Sequence, residues 1–163
     1  MITQEHLRNR LHYDEKTGIF TWKNHKAPGN NGKRAGTRSK HGYIQISVDG
    51  VRYPASNLAW LYVYGKMPDC LIDHWDTVRH HDWISNLREA THSQNAKNAV
   101  LYRNNKSGFK GVSYYKTTNK WRAEFCLDGK GKHLGYFDTP EEAHGVYCAA
   151  AKMHYGEFFN GGA

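Results

Sequence analysis

The spacing of apolar positions along the chain changes period several times, and each change marks an element. Leu7 and Leu11 share a helical spacing, which predicts a short N-terminal helix. Asp14 to Gly18 reads as a turn, and Ile19-Phe20-Thr21-Trp22 suits a strand. Between residues 23 and 42 the pattern dissolves into Lys, Arg, Gly and Asn, which predicts a loop. Tyr43 to Val48 then alternates aromatic or β-branched residues with polar ones, Asp49-Gly50 is a hairpin turn signal, and Val51-Arg52-Tyr53 returns. From Pro54 a helical stretch places Leu58, Leu61 and Val63 toward a core, with Gly65 at its end. Ser85 is a good N-cap, which predicts a helix over NLREATHSQNAKNA.

Near residue 100 the texture changes. Lys110 to Tyr115, Lys120 to Leu127 and His133 to Phe137 read as three short strands separated by turns at KTTN and DGKGK. Thr139, Pro140 and Glu142 then fit the N-cap, N1 and N3 positions of a capping box. The helix they start runs to about His154, and Gly156 stops it. The expected class is α+β, with a module over residues 1–98, a linker over 99–106 and a second module over 107–163. The second is a three-stranded antiparallel sheet packed on one α-helix.

Composition narrows the function. The chain has 163 residues, 39% of them hydrophobic, and a mean hydropathy of −0.83, so two small cores are expected rather than one large body. No apolar run approaches the ~18 residues of a membrane span, and the N-terminus lacks the apolar stretch of a secretory signal. No membrane partner is expected, and a cytoplasmic location is. Cys70, Cys126 and Cys148 are odd in number and form no CxxC pair, which argues for reduced thiols rather than disulfides or a thiolate zinc site. A net charge of +8 and a pI near 9.4 favour a polyanionic partner. Arg34, Arg38 and Lys40, in the basic loop, are candidate contacts to a phosphate backbone, although a solvated basic loop would look the same.

The residues with reaction chemistry lie in DCLIDHWDTVRHHDWISNLREATHSQNAKNA. Asp73 offers a metal ligand beside a general base, His74; on a strand their side chains point to opposite sides. A neutral imidazole can take a proton from water near pH 7. Oxygen ligands from Asp and Asn suit a hard divalent ion such as Mg²⁺, with Mn²⁺ as an alternative. Asn86 falls at the start of the predicted helix and Asn95 about two and a half turns further on, so distinct roles are expected. His80, His81 and Asp82 could form a separate transition-metal site, but adjacent loop histidines are more often surface residues.

DH-x-D followed by ISNLR-x-A-T-x-x-x-N-A resembles the HNH nuclease signature in its ββα-metal form, found in phage and intron homing endonucleases. The upstream segments LHYDEKTGIFTW, GYIQISVDG and YPASNLAWLYVYGKMP resemble the leading part of the same proteins. The resemblance implies His74 as general base and Asp73 and Asn95 as metal ligands. It implies Asn86 as the residue that orients His74 and stabilises the finger. The chain departs from the family where a glycine-bearing turn and a pair of Asn or Asp residues usually stand; here Thr77-Val78 and Arg79 to Trp83 replace them. An altered loop geometry is expected there.

SGFKGVSYY, KWRAEF and HLGYFDTPEEAHGVYCAAAKMHYGEFFN resemble the ethylene-response-factor (APETALA) type of DNA-binding domain over about residues 104–160. The resemblance implies a sheet laid in the major groove, with Lys110, Tyr114, Lys116, Lys120, Arg122 and His133 as candidate contacts. Eight basic and two acidic residues between Arg103 and Lys132 fit such a face. Trp121 suits a core position slightly better than a contact. The chain is thus expected to be a double-strand-DNA-binding, metal-dependent endonuclease, acting as a monomer that nicks or a weak homodimer, in a host cell's cytoplasm if phage-encoded. The alternatives are a DNA-binding protein with an inactive or impaired HNH finger, and an RNA-directed protein.

Overall fold

In a computed structural model, residues 2–127 and 129–162 are described. They form a mixed fold of four α-helices and small antiparallel sheets. The chain divides into two compact units, Met1–His92 and Ser93–Ala163.

The first unit begins with α1 (Gln4–Arg10), capped by Thr3, whose hydroxyl accepts from the His6 amide. β1 (Leu11–Asp14) and β2 (Ile19–Trp22) form a hairpin, so Leu11 is the first residue of a strand and not part of the helix. Its side chain remains fully buried because the helix-to-strand switch keeps it on the core side. β3 (Thr37–Arg38), β4 (Ile44–Val48) and β5 (Val51–Pro54) make a three-stranded sheet in sequence order. Asp49 and Gly50 both have positive φ, the conformation a two-residue hairpin turn of this twist demands. α2 (Ala55–Tyr64) follows and ends at Gly65 in the left-handed region. Phe20, Leu7, Leu11, Ile46 and Leu58 fill the centre of this unit.

β6 (Leu71–His74) pairs antiparallel with β7 (Leu87–Ala90), and α3 (His92–Asn98) comes next. This corrects the helix expected from Ser85 onward. Leu-Arg-Glu-Ala has good helix propensity, but pairing with β6 and a short 3₁₀ turn over Ile84–Asn86 override it. Asn86 therefore sits before a strand, and Asn95 lies on a different element from it.

The second unit holds most of α3 together with β8 (Val112–Tyr115), β9 (Lys120–Leu127), β10 (Lys130–Phe137) and α4 (Pro140–Tyr155). The sheet order is β10-β9-β8, all antiparallel, with β10 starting three residues earlier than expected and interrupted by a bulge between His133 and Gly135. Asp128, in the predicted DGKGK turn, lies outside the described residues. Thr139 and Glu142 complete the expected capping box on α4. Ala123 and Phe125 of β9 pack on Ala143, Tyr147 and Ala151 of α4. Trp121 is half-buried against the same core, on the helix side of the sheet. Gly111 is required for close packing: a Cβ there would stand 2.0 Å from the Tyr147 ring.

Candidate active site and nucleic-acid face

Asp73 and His74 end β6 in the interior of the first unit, 5% and 4% exposed. Antiparallel register sets Asp73 opposite Arg88 and His74 opposite Leu87. Asp73 Oδ2 accepts from Arg88 Nε at 2.9 Å and lies 2.8 Å from Nη2, and the guanidinium stacks on the Trp75 ring at 4.3 Å. A buried carboxylate is thus matched by a positive charge, the condition under which burial is tolerated.

The chain between β6 and β7 folds back on itself through side-chain bonds. Asn86 Oδ1 accepts from the Asp76 amide at 3.0 Å, and its Nδ2 donates to Asp76 Oδ1 at 2.9 Å and to the His81 carbonyl at 2.8 Å. Asp76 also faces His81 Nδ1 at 2.6 Å and accepts from the Val78 amide. Burial alone would raise the Asp76 carboxyl, but the bonds from His81, Asn86 and Val78 hold it below its ordinary value. Thr77 has a positive φ of 64°, a conformation that favours glycine. The left-handed turn survives without its usual residue, at a strain of about 1 kcal/mol.

The group facing the imidazole is Asp82. His74 Nε2 and Asp82 Oδ1 are 2.9 Å apart, and Asp82 is 3% exposed. The Asp82 carbonyl accepts from the Tyr13 hydroxyl at 2.6 Å. Burial first, and then the Asp82 charge, push that hydroxyl well above the usual tyrosine range. Gly18, in the β1–β2 turn, lies so close that a Cβ would stand 2.4 Å from the Asp82 carbonyl carbon and 2.4 Å from the Trp83 nitrogen. Asn86, expected to orient His74 and stabilise the finger, ties Asp76 and His81 together. The side chains of His80, His81 and Asp82 diverge toward Arg38, Asp76 and His74, so they do not form the alternative metal site.

The basic loop reaches this region from within the same unit. Arg38 Nη2 is 3.3 Å from His80 Nδ1. Partial burial, then the Arg38 charge, hold the His80 imidazole below its ordinary value. Arg79 donates to the His41 carbonyl at 3.0 Å and lies over the Tyr43 ring, whose centroid is 6.0 Å from that of His74. Arg34 and Lys40 are exposed on the loop. Asn95, on α3, belongs to the second unit.

In the second unit, cross-strand register assigns the faces of the sheet. Lys120 pairs with Tyr115, Arg122 with Ser113 and Tyr136, and Glu124 with His133, all on the face away from α4. Tyr115, Tyr136 and His133 form a row, with neighbouring rings 5.1 and 4.6 Å apart. Lys120 lies 3.1 Å from Asp138, and Arg122 3.6 Å from Glu124. Lys116 is exposed in the turn after β8. Tyr114 pairs with Trp121 on the opposite face and donates to Asn119 Oδ1. Lys110 donates its ammonium to the carbonyls of Lys97, Ala99 and Asn160 at 2.7 to 2.9 Å, and burial lowers its pKa. Its ammonium is thus turned to the chain itself.

The HNH endonuclease family matches residues 53–97, and the AP2 domain family matches residues 107–157. A protein from Acanthamoeba polyphaga mimivirus named as an HNH endonuclease is 32% identical over 99 residues, 60% of this chain and 50% of its own length. Protein 3.8 of Escherichia phage T7 is 31% identical over 100 residues, 61% of this chain and 82% of its own. The chain carries an HNH endonuclease domain followed by an AP2 domain. No solved structure matches it.

The HNH match extends past the division at residue 92 and includes Asn95, whereas the AP2 match lies wholly in the second unit. Sequence reasoning had missed Asp82 as the partner of His74, Arg88 as the partner of Asp73, and Tyr115 and Tyr136 on the sheet. For Asp82 a signal existed: it falls where the HNH pattern carries its Asn or Asp pair. For the tyrosines the signal was register, since residues opposite Lys120 and Arg122 must share their face. Among the described residues, no helix is long and apolar enough to cross a membrane.

Proposed function

We propose that β6, β7 and α3 form the ββα-metal finger of this endonuclease, with His74 as its general base, and that the AP2 domain holds the enzyme on duplex DNA. The observation that carries the reading is the fixed imidazole: His74 is buried, bonded at Nε2, and adjacent in sequence to the charge-balanced carboxylate of Asp73. His74 accepts a proton from the attacking water as its oxygen bonds to phosphorus and the bond to the leaving oxygen breaks. Arg38 and Arg79 give the surroundings a positive field suited to a phosphate backbone.

The donor types fit a hard divalent cation, Mg²⁺ or Mn²⁺. Asp73 is a buried carboxylate oxygen donor at a place that already accommodates a guanidinium, and Asn95, whose part rests on the family pattern, would add an amide oxygen. Such an ion supplies charge to stabilise the leaving oxygen. One centre of this kind cuts one strand, so a monomer nicks and a homodimer could cut both.

On the AP2 sheet, Lys120 and Arg122 would exchange their carboxylate partners for phosphates, with Ser113, Tyr115, Tyr136 and His133 beside them. Binding of duplex DNA measured against salt tests this. Lys120→Ala with Arg122→Ala should weaken binding by about tenfold or more and reduce the log–log salt slope by about 2. Unchanged affinity and slope would remove the sheet face from the reading, as would a preference for structured RNA in competition. Metal chelation should abolish nicking while leaving this binding intact.

A further inference from the structure

We propose that Asp82 is a positioning residue for the cutting reaction, fixing the His74 ring through Nε2. The inference rests on the reading of His74 as general base. It starts from burial: a carboxylate 3% exposed needs a donor, and His74 Nε2 at 2.9 Å supplies one. When Nε2 carries the hydrogen given to Asp82, the lone pair of the neutral ring is on Nδ1. Asp82 thus sets both the ring's orientation and its tautomer. A base whose tautomer is undefined spends part of its time with the wrong nitrogen presented, and catalysis falls accordingly.

The backbone around Asp82 is built to hold that carboxylate still. Tyr13 donates to its carbonyl, the Ile84 amide donates to the Glu15 carbonyl at 3.2 Å, and Gly18 lets the β1–β2 turn press directly on the Asp82–Trp83 peptide. All three restraints act on the main chain. Removing the Asp82 side chain therefore leaves the segment anchored. Asn86, by contrast, holds the loop through Asp76 and His81, so the two residues divide the work: Asn86 shapes the loop and Asp82 sets the imidazole.

The test compares wild type, Asp82→Ala, Asp82→Asn, His74→Ala and the Asp82→Ala/His74→Ala double variant in single-turnover nicking of supercoiled plasmid with Mg²⁺. DNA affinity is measured separately, and the His74 ring nitrogens are followed by ¹⁵N NMR. Asp82→Ala should lower the nicking rate by about 10²-fold with DNA affinity within about twofold of wild type. Asp82→Asn, whose amide oxygen can still accept, should recover most of the loss. The double variant should be no slower than His74→Ala, because Asp82 acts through that ring. The NMR signature should show the Nε2–H tautomer in wild type and its loss in Asp82→Ala.

A rate for Asp82→Ala within twofold of wild type would overturn the proposal, as would an Nδ1–H tautomer in the wild-type protein. If Asp82→Ala fails to fold, Asp82→Asn and the wild-type tautomer still decide it. Failure of the underlying reading looks different: His74→Ala would then nick as fast as wild type, while the tautomer measurement would still report whether Asp82 fixes the ring.

Discussion

The first unit keeps its chemistry inside, whereas the second keeps its candidate binding groups outside. Asp73, His74, Asp82 and Asn86 are all at most 5% exposed, and each is held by a named partner. On the AP2 sheet, Lys116 and His133 are exposed, and Lys120 and Arg122 are half-buried and paired with carboxylates that solvent can replace. The difference follows from what each task requires. A base must meet one water in one geometry, so its supports are buried and rigid. A backbone contact must exchange one anion for another along a long polymer, so its charges stay wet. The first unit should therefore be brittle to small changes and the sheet face tolerant of them.

Gly18→Ala should strike the brittle region hardest. It forces a methyl into the Asp82–Trp83 peptide at a positive φ of 72°, and should cost about 3 kcal/mol with a loss of nicking that exceeds any change in DNA affinity. Thermal unfolding and nicking rates measure both; a variant with wild-type stability would show that the β1–β2 turn does not support Asp82. Lys110→Ala probes the exception in the second unit, a basic residue turned inward. Leaving three carbonyls without their shared ammonium should cost about 2 kcal/mol, and at low temperature DNA affinity should stay within about twofold. A large affinity loss without destabilisation would return Lys110 to the contact face. The smallest effect runs the other way. Thr77→Gly should stabilise by about 0.5–1 kcal/mol, the relieved left-handed strain being partly offset by glycine's greater backbone entropy. A destabilised variant would mean that the Thr77 side chain has a role of its own.

Local signals carried the second unit well and the candidate active site less well. The capping box at Thr139 and Glu142 and the hairpin turn at Asp49-Gly50 depend on neighbours in sequence, and both form as their residues imply. The segment after Ser85 misled because its propensity is helical while its partner residues lie thirteen or more positions upstream. The same distance hid the Asp73–Arg88 pair, which exists only because β6 and β7 are in register. Asp82 was visible only as one of several polar loop residues; burial, supplied by Tyr13 and Gly18 from the start of the chain, singles it out. Lys110 looked like a contact by position and charge, and only the carbonyls around its ammonium show otherwise.

The most direct measurement is plasmid nicking in the presence of Mg²⁺ by wild type and His74→Ala, at protein concentrations that saturate DNA binding for both. His74 as general base predicts that wild type converts supercoiled plasmid to the open circle and that His74→Ala does so at least about 10²-fold more slowly, with DNA binding unchanged. Equal nicking by the two proteins would contradict the account.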